Sequence, residues 1–378
     1  MNRCDNAGKD KGFATALLSR RGFVATLGSS AFWSLAGCGP DGAGFGVGNA
    51  SAAQNADGAI LLLPLTGTAA AIGKDMAKAA TLAAPGAELA LPLDCGDDAG
   101  TATTATKAAI AAHARLLLGP LRADQVAPVL AEAKSVPVVS FSNDENLAGS
   151  GAFILGVTPA QSVATMFSYA RDQGAKRLAV VAADTPFGRA SAAAAQAIAA
   201  AGGLHLSASL LRDPGASGLA SALRSASGGV LPDAVFLPDR GADLQKLARG
   251  LKPVGLQLMG GMQWGLGADA EALANPDLDG AWFAAPPPEA FQAFADRFEA
   301  AFGAVPGYVT ALGFDAAVIA LTLAGTNSMS RKGLLRADGF NGALGHFRFL
   351  PDGRCKRDLS VLGLKAGQIE ALAEVSDS

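Results

Sequence analysis

Cys38 is the residue in this 378-residue chain whose surroundings point most directly to covalent chemistry. Leu35-Ala36-Gly37-Cys38 has the pattern of a bacterial lipobox, in which the thiol is acylated and everything before it is removed. Upstream, Ser19-Arg20-Arg21-Gly22-Phe23-Val24 has the pattern of a twin-arginine export signal. The weakly apolar run 22–36 that follows is too short to span a bilayer and reads as a removable segment. The expectation is a signal peptide over 1–37, a lipid on Cys38 and a protein held by that lipid on the periplasmic face of the cell envelope.

The rest of the chain carries no catalytic signature. H-E-x-x-H, C-x-x-C, G-x-S-x-G and Walker patterns do not occur. Lys74 follows Gly73 but precedes Asp75, so it is not a phosphate-cradling lysine. Carboxylates are plentiful, yet none pair at a recognisable catalytic spacing. His113, His205 and His346 fall on separate elements and are expected to be packed or surface residues. No catalytic residue, no cofactor and no metal is therefore expected, and the chain reads as a non-enzyme.

Hydrophobic residues make up 50% of the sequence and charged ones 17%, with a net charge of −3. Basic residues pair at most two by two, as at Lys176-Arg177, so no stripe exists to track a phosphate backbone, and nucleic acid is excluded as a partner. The apolar share is mostly alanine, which argues for tight helix packing. Cleavage before Cys38 leaves 38–378, enough chain for two domains.

Residues 38–57 comprise the lipidated Cys and a Gly-rich leash, with a typical end-to-end distance of roughly 25 Å. The apolar run 59–65 then suits a buried parallel strand. A helix is expected over 69–84, a strand at 88–93, a helix over 101–113 and a strand at 115–118. A turn at Gly119-Pro120-Leu121 leads to a helix starting at Pro128 and a strand at 136–141. After Leu155-Gly156-Val157-Thr158-Pro159 the alternation restarts, with helices over 161–174, 189–201, 218–227 and 242–251 and strands at 177–183, 204–211, 233–237 and 256–260. Residues 281–283, helices over 288–302 and 310–324, and a hairpin of 345–350 with 358–364 about Pro351-Asp352-Gly353 complete the chain. Such alternation means a parallel α/β architecture.

In this order and spacing, several pieces resemble the type I periplasmic binding proteins of the leucine/isoleucine/valine-binding group. They are Leu63-Pro64-Leu65-Thr66-Gly67, Leu118-Gly119-Pro120-Leu121, Val138-Val139-Ser140-Phe141-Ser142, Asp184-Thr185-Pro186-Phe187-Gly188, Gln257-Leu258-Met259-Gly260 and the stretch 342–353. The resemblance covers about 58–370. It implies two doubly wound, Rossmann-like lobes with three crossovers, near Val157, Phe283 and Asn327. Lobe 1 would hold 58–156 plus 283–326, and lobe 2 would hold 157–282 plus 327–378. Cys95 and Cys355 then fall in different lobes and are expected to be unpaired, partly buried thiols. Within the group, the Gly119-Pro120-Leu121-Arg122 and Phe141-Ser142-Asn143-Asp144 loops are most similar to the penicillin-binding protein activators, envelope lipoproteins that stimulate peptidoglycan synthases.

Loops at the carboxyl ends of the strands face the interlobe cleft in such folds. The resemblance places Thr66, Gly67, Thr68, Gly119, Leu121, Arg122, Ser140, Ser142 and Asn143 there from lobe 1. From lobe 2 it places Asp184, Phe187, Asp239, Met262 and Gln263. An amino-acid binder of this family carries an acid after the Met-Gly of the last lobe-2 strand and a hydroxyl after the Gly119 turn; here Met262 or Gln263 and Arg122 stand at those places. Phe187 matches the aromatic that covers the ligand, or it caps the lobe core. Ser140, Ser142 and Asn143 could bind an anion, and Asp184 and Asp239 could supply a displaced acid. Asp184 could equally cap the next helix, Ser142 could cap a turn, Arg122 could be a solvated turn residue, and Trp264 could be a cleft wall or a partner contact. The implied partner is a peptidoglycan synthase, with a small molecule such as an amino acid in the cleft of an importer subunit as the alternative.

Overall fold

Residues 58–83, 90–215, 217–265 and 273–374 are described by the computed structural model. The signal segment, Cys38 and the leash at 39–57 lie outside the described residues. Short, wholly apolar strands set the architecture. β1 (Ala59–Leu63), β3 (Leu116–Leu118) and β4 (Val138–Ser140) are buried on both faces, as strands of a covered parallel sheet must be. With β2 (Ala90–Asp94) and β5 (Phe153–Ile154) they form a parallel sheet in the order β2-β1-β3-β4-β5. Its crossovers are α1 (Ala70–Ala83), α2 (Ala99–Ala111) and α3 (Val126–Ala133). Asp98 caps α2, accepting the Thr101 N–H at 2.9 Å. α3 begins at Val126, not at Pro128, because a short 3-10 turn (Ala123–Gln125) leads into it.

Thr158, with Gln161 in a capping box, starts α4 (Pro159–Asp172) and opens the second alternation. It continues through β6 (Arg177–Ala182), α5 (Pro186–Ala201), β7 (His205–Leu211), α6 (Leu219–Ala226), β8 (Ala234–Leu237), α7 (Gly241–Leu251), β9 (Gln257–Gly260) and β10 (Trp282–Ala285). α8 (Pro288–Phe302) and α9 (Tyr308–Gly325) then return to the first sheet and pack beside α1. α9 is apolar enough by length and composition for a membrane span, but most of it is buried inside the body. A Cβ on Gly313 would stand 2.1 Å from the Met76 carbonyl oxygen, so glycine is what lets α9 approach α1 so closely.

A four-residue helix, α10 (Arg331–Leu334), precedes a small antiparallel sheet of β11 (Phe340–Gly342), β12 (Gly345–Phe349) and β13 (Cys355–Arg357). β14 (Ser360–Lys365) and β15 (Gln368–Glu374) complete the second sheet, in the order β15-β14-β10-β9-β8-β6-β7. The expected closing hairpin is thus divided. The run after Pro351-Asp352-Gly353 gives β13 to the small sheet and β14 to the large one. Asp358 makes the break, because its N–H donates to the His346 carbonyl at 3.0 Å and its carboxylate meets His346 Nδ1 at 3.1 Å.

Sheet membership also moves two of the three expected exchange points. Phe283 lies inside β10, paired with Gly260 and Leu362, so the chain leaves the second sheet only after Ala285. Asn327 follows α9 in a tight turn, and the stretch beyond it stays with the first lobe. Gly149 and Ile154 donate backbone bonds to Asp352 and Gly353, Phe153 and Phe349 meet at 5.1 Å, and Arg357 pairs with Asp315 of α9 at 3.0 Å. The return falls at Asp358-Leu359. Cys95 and Cys355 are both buried and unpaired.

Candidate functional site

The loop after β1 exposes Thr66, Gly67 and Thr68, but their donors point at two aspartates, Asp94 at the end of β2 and Asp97 just beyond it. Leu65 N–H and Thr66 N–H donate to Asp94 Oδ1 at 2.9 and 3.2 Å, and the Thr66 hydroxyl donates to Oδ2 at 2.6 Å. Burial pushes the Asp94 carboxyl up, yet the Thr66 hydroxyl and the amides of Gly96, Leu65 and Thr66 together hold it below its ordinary value. The Thr68 N–H and hydroxyl both donate to Asp97 Oδ2, the hydroxyl at 2.9 Å, and these bonds lower Asp97 as well. Gly67 has φ 81°, and a Cβ there would sit 2.2 Å from Asp97 Oδ2, so glycine admits the carboxylate.

The next two strand ends are similarly engaged. Gly119, after β3, is buried with φ 130° under a half-buried Leu121. Exposed Arg122 forks onto Asp124, with Nε at 3.1 Å and Nη2 at 3.0 Å. After β4, the buried Ser140 hydroxyl donates to the Pro120 carbonyl at 3.0 Å and accepts the Ser142 N–H at 3.1 Å. Ser142 Oγ in turn accepts the Asp144 N–H at 3.1 Å, so it caps the turn. Asn143 is exposed beside it.

On the second lobe, exposed Asp184 pairs with Arg189, and the N-cap of α5 is its neighbour Thr185, which accepts the Gly188 N–H at 3.0 Å. Half-buried Asp239 accepts the Ala183 N–H through both oxygens at 3.2 and 3.1 Å. Its burial raises the carboxyl above the usual range, opposed by that N–H and reinforced by Asp243. Trp264 belongs to the core. It is 1% exposed, donates to the Leu237 carbonyl at 3.0 Å and stacks on Phe283.

A pocket of about 10 Å³, room for one water at most, gathers Phe187, Met262 and Gln263 with Val157, Thr158 and Phe236. Ser162 of α4 anchors it by accepting the Met262 N–H at 3.1 Å. None of the first-lobe candidates lines this pocket. Its wall carries no charged side chain, and Asp184 and Asp239, at the nearby strand ends, are already bonded elsewhere. Asp94 and Asp97 were not singled out by the sequence reading. Three aspartates in five residues at a strand end, Asp94-Cys95-Gly96-Asp97-Asp98, were the available signal. Among the described residues no cluster of His, Cys, Asp and Glu could hold a metal ion.

A family model described as periplasmic binding protein matches residues 61–368. Among solved structures, a putative branched-chain amino acid ABC transporter from Rhodospirillum rubrum is similar at a TM-score of 0.72 and 21% identity, covering 83% of this chain and 99% of that one. A solute binding protein from R. palustris in complex with benzoate is similar at 0.57 and 18%, covering 85% and 97%. Full-length LpoA from Haemophilus influenzae is similar at 0.67 and 16%, with 85% of this chain covered and 59% of LpoA. No curated protein matches the chain. At these identities the structures establish the fold alone, and the family match covers most of the sequence. The chain belongs to the periplasmic binding protein family and has its type I, two-lobed α/β fold.

Proposed function

We propose that this protein is a non-catalytic, lipid-anchored regulator of the cell envelope that acts by contact with a peptidoglycan synthase, in the manner of the penicillin-binding protein activators. The observation that carries the reading is the closure of the Thr66–Thr68 loop on Asp94 and Asp97. A free amino acid brings a carboxylate that needs such donors and an ammonium that needs an acid. Here the donors serve internal carboxylates, and Met262 and Gln263 stand where the acid belongs. Leaving a buried charge unpaired costs about 3–5 kcal/mol, on the order of a hundred- to several-thousand-fold in affinity. The Gly119 and Phe141 loops and the lipobox at Cys38 agree with the activator branch. The fold is shared with LpoA and with transporter subunits alike, so it leaves room for both roles.

Capture by purified peptidoglycan synthases, combined with a glycan polymerisation assay, tests this reading. Binding with stimulation supports it; neither binding nor stimulation removes it.

A second reading is the ligand-capturing subunit of an ABC importer. Phe187, Phe236 and Met262 favour it, since together they make an apolar wall beside the first crossover. Micromolar calorimetric binding of any of the twenty amino acids would put this reading first.

A further inference from the structure

A cavity of about 350 Å³ lies along α4, a volume within the usual range for small-molecule sites. It is separate from the strand-end pocket. Pro159 and Ser162 of α4 line that pocket, whereas Ala160, Gln161, Ala164, Thr165 and Ser168 line the cavity. At 3.6 residues per turn these two sets occupy opposite faces of the helix. Leu350 and the run from Arg354 to Leu359 face α4 across the cavity.

The charged groups on its walls are of both signs and already engaged within the protein. Arg354 Nε holds Asp352 at 2.7 Å, and Arg357 Nη1 holds Asp315 at 3.0 Å. Asp358 meets His346 Nδ1 at 3.1 Å, the Thr158 hydroxyl donates to Glu145, and Lys356 has an interaction of its own. Arg357 Nε and Nη2 have no partner, but both are sealed in the interior, with the Phe347 ring 4.7 Å from the guanidinium carbon. The neutral polar groups are engaged too. Gln161 Nε2 donates to the Cys355 carbonyl at 3.0 Å, and its Oε1 accepts the Thr158 N–H at 3.3 Å. The Thr165 hydroxyl donates to the Gln161 carbonyl at 3.0 Å, and Ser168 Oγ accepts from Arg171 Nη2 at 3.2 Å.

The surface left uncommitted is apolar, supplied by Ile154, Ala160, Ala164, Ile198, Leu350 and Leu359. From Ala160 to Ser168 the lining runs along two turns of helix, about 12 Å at 1.5 Å per residue. An ion of either sign entering here gives up hydration and gains no free counter-ion. An uncharged chain gives up little and takes the apolar lining out of water.

We propose that this cavity binds an uncharged aliphatic molecule, with its chain laid along α4 between Ala160 and Ser168.

The test is calorimetric titration of the purified mature chain at pH 7 with 1-hexanol, hexanoate and hexylamine. Hexanol is expected to bind one per chain, at least tenfold more tightly than either ion. Ala164→Phe, at an exposed position of α4, fills the cavity and should abolish hexanol binding with the thermal melt unchanged. Methyl NMR on the unsubstituted chain locates the ligand without any substitution, and contacts from hexanol to Ala160, Ala164 and Leu359 are expected. Absence of hexanol binding at millimolar concentration overturns the proposal, as does binding of hexanoate or hexylamine as tight as that of hexanol. Contacts to Val157 and Met262 in place of Ala160 and Ala164 assign the ligand to the strand-end pocket and overturn it too.

Discussion

Thr66 and Asp94 close the loop that follows β1: the threonine hydroxyl donates to Asp94 Oδ2 at 2.6 Å, while Oδ1 takes the Leu65 and Thr66 amides. Asp94→Ala leaves those donors without their internal acceptor. It should lower stability by about 1–2 kcal/mol in urea denaturation, with part of the loss recovered by water at this half-buried site. A midpoint equal to that of the unsubstituted chain would show that the bonds do not hold the loop.

Acid should affect these strand-end carboxylates in opposite directions. Asp94 and Asp97 are lowered, so the stability they contribute is present above the unfolded carboxylate value of about 4 and is lost as pH falls through their folded values. Asp239 is raised, so its contribution is full below about 4 and is lost as pH rises through its folded value. Asp239→Asn keeps an acceptor for the Ala183 N–H without the buried charge. Its melting temperature should exceed that of the unsubstituted chain at pH 7, and the gap should close near pH 3. A gap that persists in acid contradicts this assignment.

Asp315 and Arg357 form an ion pair that is fully buried on both sides and joins α9 to β13. Asp315→Ala strands the guanidinium and should cost about 3–5 kcal/mol in denaturant titration, whereas Asp315→Leu with Arg357→Met should recover most of that. A loss in the double variant as large as in the single one would mean that the site requires the charges themselves.

Close approach of α1 and α9 makes Gly313 intolerant of a side chain. The added Cβ of Gly313→Ala meets the Met76 backbone carbonyl, which cannot rotate aside. Overpacking of this kind costs about 1–3 kcal/mol, and the better helix propensity of alanine returns up to about 1. Net destabilisation is expected, read from the urea midpoint; a neutral or stabilised variant would show that the helices can part without loss.

The alternation of strands and helices was legible in the sequence because β1, β3, β6 and β8 are short continuous apolar runs, the pattern of a sheet covered on both faces. β5 and β11 were not, since Phe153-Ile154 is only two residues and Phe340-Asn341-Gly342 is no apolar run. The division of the last hairpin was hidden for another reason. The strand expected at 358–364 falls almost wholly in β14, while the partner of β12 is the short Cys355–Arg357, whose run of charged side chains shows no strand period; the long-range bonds of Asp358 to His346 mark the break between them. At the cleft, loop positions followed from strand ends, but bonding partners did not. Nearly thirty residues separate Asp94 from Thr66, and sequence shows no preference between a ligand and an internal carboxylate. Trp264, beside a glycine-rich stretch, looked available for contact; its indole N–H goes instead to a carbonyl of β8 inside the core.

Glycan polymerisation by purified peptidoglycan synthases, measured as the mature chain is titrated in, tests the central claim most directly. The account predicts a rise in rate for at least one synthase that saturates with added chain and persists without any amino acid present. An unchanged rate with every synthase, together with tight calorimetric binding of a free amino acid, would contradict it.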